Sequence, residues 1–236
     1  MDVKIQSSSP TSDFLSDLAN ALYNGTGLST AYGLITVDSN GSDRDSTFNI
    51  STTKVSGKLL VSGSVTASTN YTLSKVKLLA SNGKTYFIAS PSSGGGAVSQ
   101  GTKINIYFYV TVTVSGSISY GSIGGSAVPY DIADYVYDVL MGTRSPSDLA
   151  FDGILFSFKD VNNVPISVTV SPSKTKSGNN INFSASATPN ANWSLQNIGV
   201  IKQGKTTLWM YSLDQAITGS AGSTVSISAS ISLGAL

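Results

Sequence analysis

Residues 70–79 read NYTLSKVKLL, and residues 192–201 read NWSLQNIGVI. Asn70 answers Asn192, Tyr71 answers Trp193, Leu73 answers Leu195 and Val76 answers Ile198. Both copies then pass a Gly-Lys turn, Gly83-Lys84 and Gly204-Lys205, into an apolar-aromatic run, TYFIAS (85–90) and TTLWMYS (206–212). A match this long and this ordered makes the chain a tandem duplication. Whatever it folds into, it must fold into twice. The 236 residues suit two compact domains of roughly 110–120 residues each.

In the first copy the polar stretch 1–12 reads as an arm, ordered only where it docks. Phe14, Leu15, Leu18, Ala21 and Leu22 then share one face of a helix. Ser12 or Asp13 is placed to cap that helix, and Gly25 and Gly27 to end it. From Ala31 the apolar period becomes two. Strands are expected over AYGLITV (31–37), around Phe48 and Ile50, over KLLVSGSVTA, at 72–79 and at 85–90. The Gly/Ser loop 90–101 follows, and then the long run from Lys103 to Val114. There Ile104, Ile106, Phe108, Val110, Val112 and Val114 alternate with polar or tyrosine positions, the pattern of a half-buried antiparallel strand.

The stretch 116–129 is small and glycine-rich and reads as a linker. Ile132, Ala133, Val136, Val139 and Leu140 form the second helix, ended by Gly142. GILFSF (153–158) answers the strand at 32–37. Ile166, Val168 and Val170 answer Phe48, Ile50 and Thr52. Ser177-Gly178 answers Ser56-Gly57, and Ile181, Phe183, Ala185 and Ala187 fall on Leu59, Val61, Gly63 and Val65. Val225 to Leu233 alternates apolar with serine. The expected organisation is all-β, as two tandem antiparallel β-sandwich domains of jelly-roll or immunoglobulin-like type, each with one short helix. The bounds are a polar arm (1–12), domain 1 (13–115), a linker (116–129) and domain 2 (130–236).

Composition limits the chemistry. The chain has no Cys and no His, and all 13 of its acids are Asp. Disulfides and the usual zinc or transition-metal sites cannot be built from it. Charged residues are 11% and the net charge is +1, without the basic stripe of a nucleic-acid binder or a polybasic membrane patch. No apolar run approaches a membrane span, and the amino terminus lacks an apolar signal region. The 42 serines and 22 threonines make a neutral, hydroxylated surface suited to extracellular or particle-surface proteins.

Candidate sites are few. The loop 38–45 offers Asp38, Asn40, Asp43 and Asp45 as oxygen ligands for calcium, but it lacks a bidentate Glu and contains Arg44. Ser81-Asn82-Gly83-Lys84 has the Ser-x-x-Lys spacing of acyl-enzyme hydrolases, yet it lies in a hairpin turn and not at a helix start. Asp131, Asp134 and Asp138 stand at helical spacing, the ordinary way to complement a helix dipole. Gly94-Gly95-Gly96 has no helix after it to cradle a phosphate. N-glycosylation sequons occur at Asn24, Asn40, Asn49, Asn70, Asn182 and Asn192, and both copies keep those at Asn70 and Asn192. Tyr107, Tyr109 and Tyr120, with Tyr135 and Tyr137 nearby, form a candidate sugar- or partner-binding aromatic face. No catalytic residue and no cofactor site is assigned.

The order of helix, Gly-turn strand, central hairpin and long Thr/Ser-rich strand, given twice, resembles the β-sandwich domains of virus particle appendages. These include tailed-phage fibre and tail proteins and the turrets or spikes of archaeal icosahedral viruses. The resemblance covers the whole chain as a pattern, without a diagnostic motif, and carries over no functional residues. It implies a non-enzymatic virion structural protein of turret, spike or penton type on the virion surface. Its partners would be further copies of itself as a homo-oligomer, other virion proteins, and a host receptor or glycan, with no nucleic acid and no membrane insertion. One domain would be seated in the shell and the other would project. The alternative from another class is an extracellular adhesin or carbohydrate-binding module.

Overall fold

The computed structural model describes residues 1–113 and 115–232. Val114 and Leu233, expected near the ends of the two long strands, lie outside the described residues. The first half contains β1 (Asp2–Ile5), β2 (Ser9–Pro10), α1 (Ser12–Asn24), β3 (Ala31–Asp38), β4 (Asp43–Thr47), β5 (Ile50–Val55), β6 (Lys58–Thr66), β7 (Tyr71–Ala80), β8 (Thr85–Ala89), β9 (Gly96–Val98) and β10 (Lys103–Val110). The second half contains β11 (Ser115–Tyr120), β12 (Ile123–Pro129), α2 (Ile132–Leu140), β13 (Gly153–Asp160), β14 (Pro165–Val170), β15 (Ser173–Ser177), β16 (Asn180–Ala187), β17 (Trp193–Lys202), β18 (Thr206–Leu213), β19 (Ile217–Gly219) and β20 (Val225–Ser232). The chain is all-β with two short α-helices.

The halves share one topology. The first has a sheet β2-β8-β7-β3-β4, with β9 on β7, and a second sheet β1-β10-β6-β5. The second repeats these orders as β12-β18-β17-β13-β14, with β19 on β17, and β11-β20-β16-β15. Gly33 stands opposite Leu79 just as Gly153 stands opposite Ile201. The seven long strands of each half, lettered in chain order, run B-A-E-F and G-D-C, which differs from the ABED and CFG order of an immunoglobulin constant domain.

Two stretches differ from the sequence expectation. The arm is two short strands, with Val3 and Ile5 fully buried and β1 parallel to β10. The 116–129 stretch is not a linker: it forms the hairpin β11–β12, which pairs with β20 and β18. The two stretches are counterparts, so each unit begins before its helix. They are not identical. β11 and β12 pair with each other and run antiparallel to their neighbours, which merges the second unit's two sheets into one continuous sheet. Glycine is required in that hairpin: a Cβ on Gly116 would lie 2.5 Å from the Ser230 carbonyl oxygen, and one on Gly125 2.3 Å from that of Ser212.

Smaller corrections follow from register. β14 answers β4, and β15 answers β5, so Ile166, Val168 and Val170 do not correspond to Phe48, Ile50 and Thr52. Phe48 is 53% exposed and packs on Tyr32, 5.1 Å between ring centroids. By the same register Val55 to Lys58 matches Ser177 to Asn180, so Ser56 corresponds to Gly178. The α1 cap is Thr11, whose Oγ1 accepts the Phe14 N–H at 3.3 Å. β10 ends at Val110, short of the strand predicted to reach Val114.

Apolar side chains from every sheet belong to one continuous core, in which Leu34, Leu78, Phe108, Ile154, Phe156 and Trp209 are completely buried. Each such side chain contributes about 1.5–3 kcal/mol. The core is continuous because the units embrace each other. α1 touches β15 and β16, while α2 touches the β5–β6 hairpin through Tyr137, whose hydroxyl donates to the Gly57 carbonyl at 3.3 Å and accepts the Val112 N–H at 3.2 Å. Lys174 of β15 donates to the Tyr23 carbonyl at the end of α1, at 2.5 Å, and Lys54 of β5 pairs with Asp138 of α2, at 2.7 Å. Gly25 beyond α1 lies against Ser147, and Gly142 beyond α2 lies against Thr30. Element i meeting j while j's counterpart meets i's is the pattern of an isologous two-fold interface, here within one chain.

Candidate functional surface

The repeated hairpin is tied down by an aspartate in each unit, and in the first unit that aspartate lies on α1. Asp17 of α1, only 2% exposed, accepts from Lys84 Nζ at 2.6 Å, Asn82 Nδ2 at 3.0 Å and the Tyr86 hydroxyl at 2.8 Å. Tyr86 is pushed up to about 12, by burial first and by its bond to Asp17 second. Ser81 Oγ meets Thr30 Oγ1 instead, at 3.1 Å, so the Ser-x-x-Lys residues are committed to different structural partners. In the second unit Lys202 Nζ and the Gln203 N–H hold Asp152 at 2.7 and 2.8 Å, and Lys205 lies 3.8 Å from Asp148. Asp152 is held below the usual carboxylate range: burial opposes this, but the Gln203 N–H and Lys202 outweigh it.

The proposed calcium ligands do not converge. Asp38 Oδ1 accepts the Asn40 and Ser42 N–H groups at 2.9 Å each, and its Oδ2 takes the Arg44 guanidinium, with Nε at 2.8 Å. The Ser42 N–H is the main cause of its lowered pKa; burial opposes this and Arg44 adds to it. Asp43 pairs with Lys77 at 2.6 Å, and Asp45 Oδ1 accepts the Ser68 N–H at 3.0 Å. Among the described residues no group of three acidic side chains gathers. The same turn recurs: Asp160 Oδ1 accepts the Asn162 and Val164 N–H groups at 2.8 Å. The aspartate is therefore turn chemistry, kept in both units.

Asn70 and Asn192 are also matched in role. Asn70 Oδ1 accepts the Gln100 N–H at 2.7 Å, and Asn192 Oδ1 accepts the Ala221 N–H at 2.9 Å, each tying down the loop before the long strand. Both side chains are exposed at one end of their unit. Beneath them Tyr71 donates to Thr36 at 3.0 Å, while the Trp193 indole N–H, buried, has no protein partner. Burial pushes Tyr71 up to about 12. Gly96 enters β9, so the glycine loop ends in a strand.

The outer face of β11-β20-β16-β15 carries rows of exposed polar side chains. Register sets three rows across it: Ser119, Ser228, Ser184, Ser173; then Ser117, Ser230, Asn182, Thr175; then Ser115, Ser232, Asn180, Ser177. Strands about 4.8 Å apart, with same-face residues about 6.8 Å apart, make this a grid of hydroxyls and amides. Cross-strand contacts hold part of it, Ser117 to Ser230 at 3.0 Å and Ser232 to Asn180 at 2.7 Å. A groove of about 640 Å³ runs over it. The first unit has a groove of about 310 Å³ on the equivalent strands β10, β6 and β5, overlapping that position and including Tyr107. Of the predicted aromatic face, Tyr107 and Tyr109 are half-buried on this side, whereas Tyr137 is core. Alternation along single strands shows which residues face outward; only strand register shows that they align into rows.

Comparison with protein-family models, with curated proteins and with solved structures finds no match to this chain.

Proposed function

We propose that the chain is a non-enzymatic structural protein of a virus particle, a turret, spike or penton-type component that works as a homo-oligomer of two-sandwich blocks at the virion surface. The reading rests on the appendage-like pattern of the sequence, and on one structural contrast that carries the assembly part. The equivalent edge strands β4 and β14 are built differently. β4 reads DRDST, and its exposed Asp43 and Arg44 suit an edge meant to stay solvated. β14 reads PISVTV, has no charged side chain, and is preceded by Val161 and Val164, 76% and 53% exposed. An open strand edge with apolar neighbours is a template for adding another chain. Asp38 and Asp138, two of the acids singled out in the sequence, are tied to Arg44 and Lys54 as structural pairs.

The test is solution mass across a concentration series, for the native chain and for a Val161→Lys/Val164→Lys double variant. The native chain is expected to form a discrete oligomer and the variant to stay monomeric. A native chain that remains a strict monomer at the highest concentration contradicts the reading. The second reading, an adhesin or carbohydrate-binding module, draws on the outer grooves.

A further inference from the structure

We infer that the paired outer grooves are binding sites for a neutral glycan chain. In the first unit the groove is formed by Tyr107, Asn49, Asn105, Ser51, Ser62 and Ser64 around a floor of backbone. In the second it is larger and includes Thr175, Asn182, Ser184 and Ser228. Neither groove is lined by Asp, Lys or Arg, although the chain carries 14 basic and 13 acidic residues elsewhere. A ligand that brought a charge here would lose solvation without gaining a partner, which disfavours phosphorylated or sialylated ligands and charged peptides. A folded protein partner needs large apolar anchors to seat, and the exposed side chains lining the second groove are serine, threonine and asparagine, with Ile118, Phe183 and Ala229 buried beneath them.

A neutral sugar has the complementary chemistry. Each of its hydroxyls both donates and accepts, as Ser, Thr and Asn side chains do. The side-chain polar atoms of Ser184, Ser228, Thr175 and Asn182 have no hydrogen bond to protein among the described residues, nor do those of Ser51, Ser62 and Ser64. Tyr107 adds an amphipathic ring in the first groove, whose face suits the C–H side of a pyranose.

The inference does not rest on the particle reading. The test is an array of neutral and charged glycans probed with the full chain, followed by calorimetric titration of the neutral hits. The variants are Ser184→Val/Ser228→Val in the second groove and Tyr107→Ala in the first. All three positions lie on outer faces, so native melting temperature is the control for folding. Neutral oligosaccharides are expected to bind, with each groove's variant lowering affinity about tenfold and their combination abolishing it. No neutral hit, binding only to charged glycans, or binding unchanged in the combined variant overturns the inference. So does self-association that the same variants abolish, which would make a second copy the occupant. An oligomer that binds no glycan would leave the particle reading standing, and a monomer that binds one would leave this inference standing.

Discussion

Asp17 is the residue on which the repeated hairpin closes. Its carboxylate has three donors and almost no solvent, so Asp17→Ala leaves Lys84, Asn82 and the Tyr86 hydroxyl without their common partner. The expected loss is about 2–3 kcal/mol, read by urea denaturation. The exposed pair Lys77–Asp43 is the control, and Asp43→Ala is expected to cost less than about 1 kcal/mol. Residue chemistry also sets the pH profile. With no His and no Glu, almost nothing titrates between about pH 5 and 9, and the melting temperature is expected to be flat there. Asp38 and Asp152 are held below their unfolded value of 3.8, so their stabilisation is complete above that value and is lost as pH falls through the lower folded values. Tyr71 and Tyr86 are raised from 10.0 to about 12, so theirs is complete below pH 10 and is lost as pH rises towards 12. A melting temperature that changed through pH 6–8 would contradict this assignment of groups. Matched identity made the hairpin visible in the sequence. Its partner Asp17 was not visible, because it lies on a helix far away in the chain and the second unit holds its hairpin with Asp152 instead.

Among the elements, the hairpin β11–β12 separates the two units most. Its glycines hid it. Only Ile118 is fully buried in β11, and no residue of β12 is, so the apolar alternation that marks β10 and β20 is missing. At Gly116 and Gly125 neighbouring carbonyls come too close for a Cβ. Gly125→Ala is therefore expected to lower stability by about 1–3 kcal/mol, seen as a lower melting temperature, where a true linker would tolerate the change. β1, by contrast, carried a readable alternation in Val3 and Ile5, but over four residues it was too short to outweigh its polar surroundings. Helix α1 shows a third kind of limit. Its apolar stripe is plain in the sequence, yet its last turn is completed from the other unit by Lys174, which also donates to the Phe151 carbonyl at 2.7 Å. Burial lowers the pKa of Lys174. Lys174→Met is expected to keep the packing and lose about 1–2 kcal/mol, because two carbonyls lose a charged donor.

At the scale of the whole molecule, duplication was legible because both units use the same turns and the same inward residues. How the units meet was not. A periodic stripe says that a helix has a buried side, and says nothing of whether its own sheet or its sister's covers it. Here both do, and the reciprocal contacts α1 to β15–β16 and α2 to β5–β6 close the pair on itself. One continuous core predicts one cooperative unit, in place of two beads on a linker. Scanning calorimetry tests this most directly. A single transition is expected, with equal calorimetric and van't Hoff enthalpies of roughly 165 kcal/mol near 60 °C for a chain of this length. Two resolved transitions, each carrying about half that enthalpy, would contradict it.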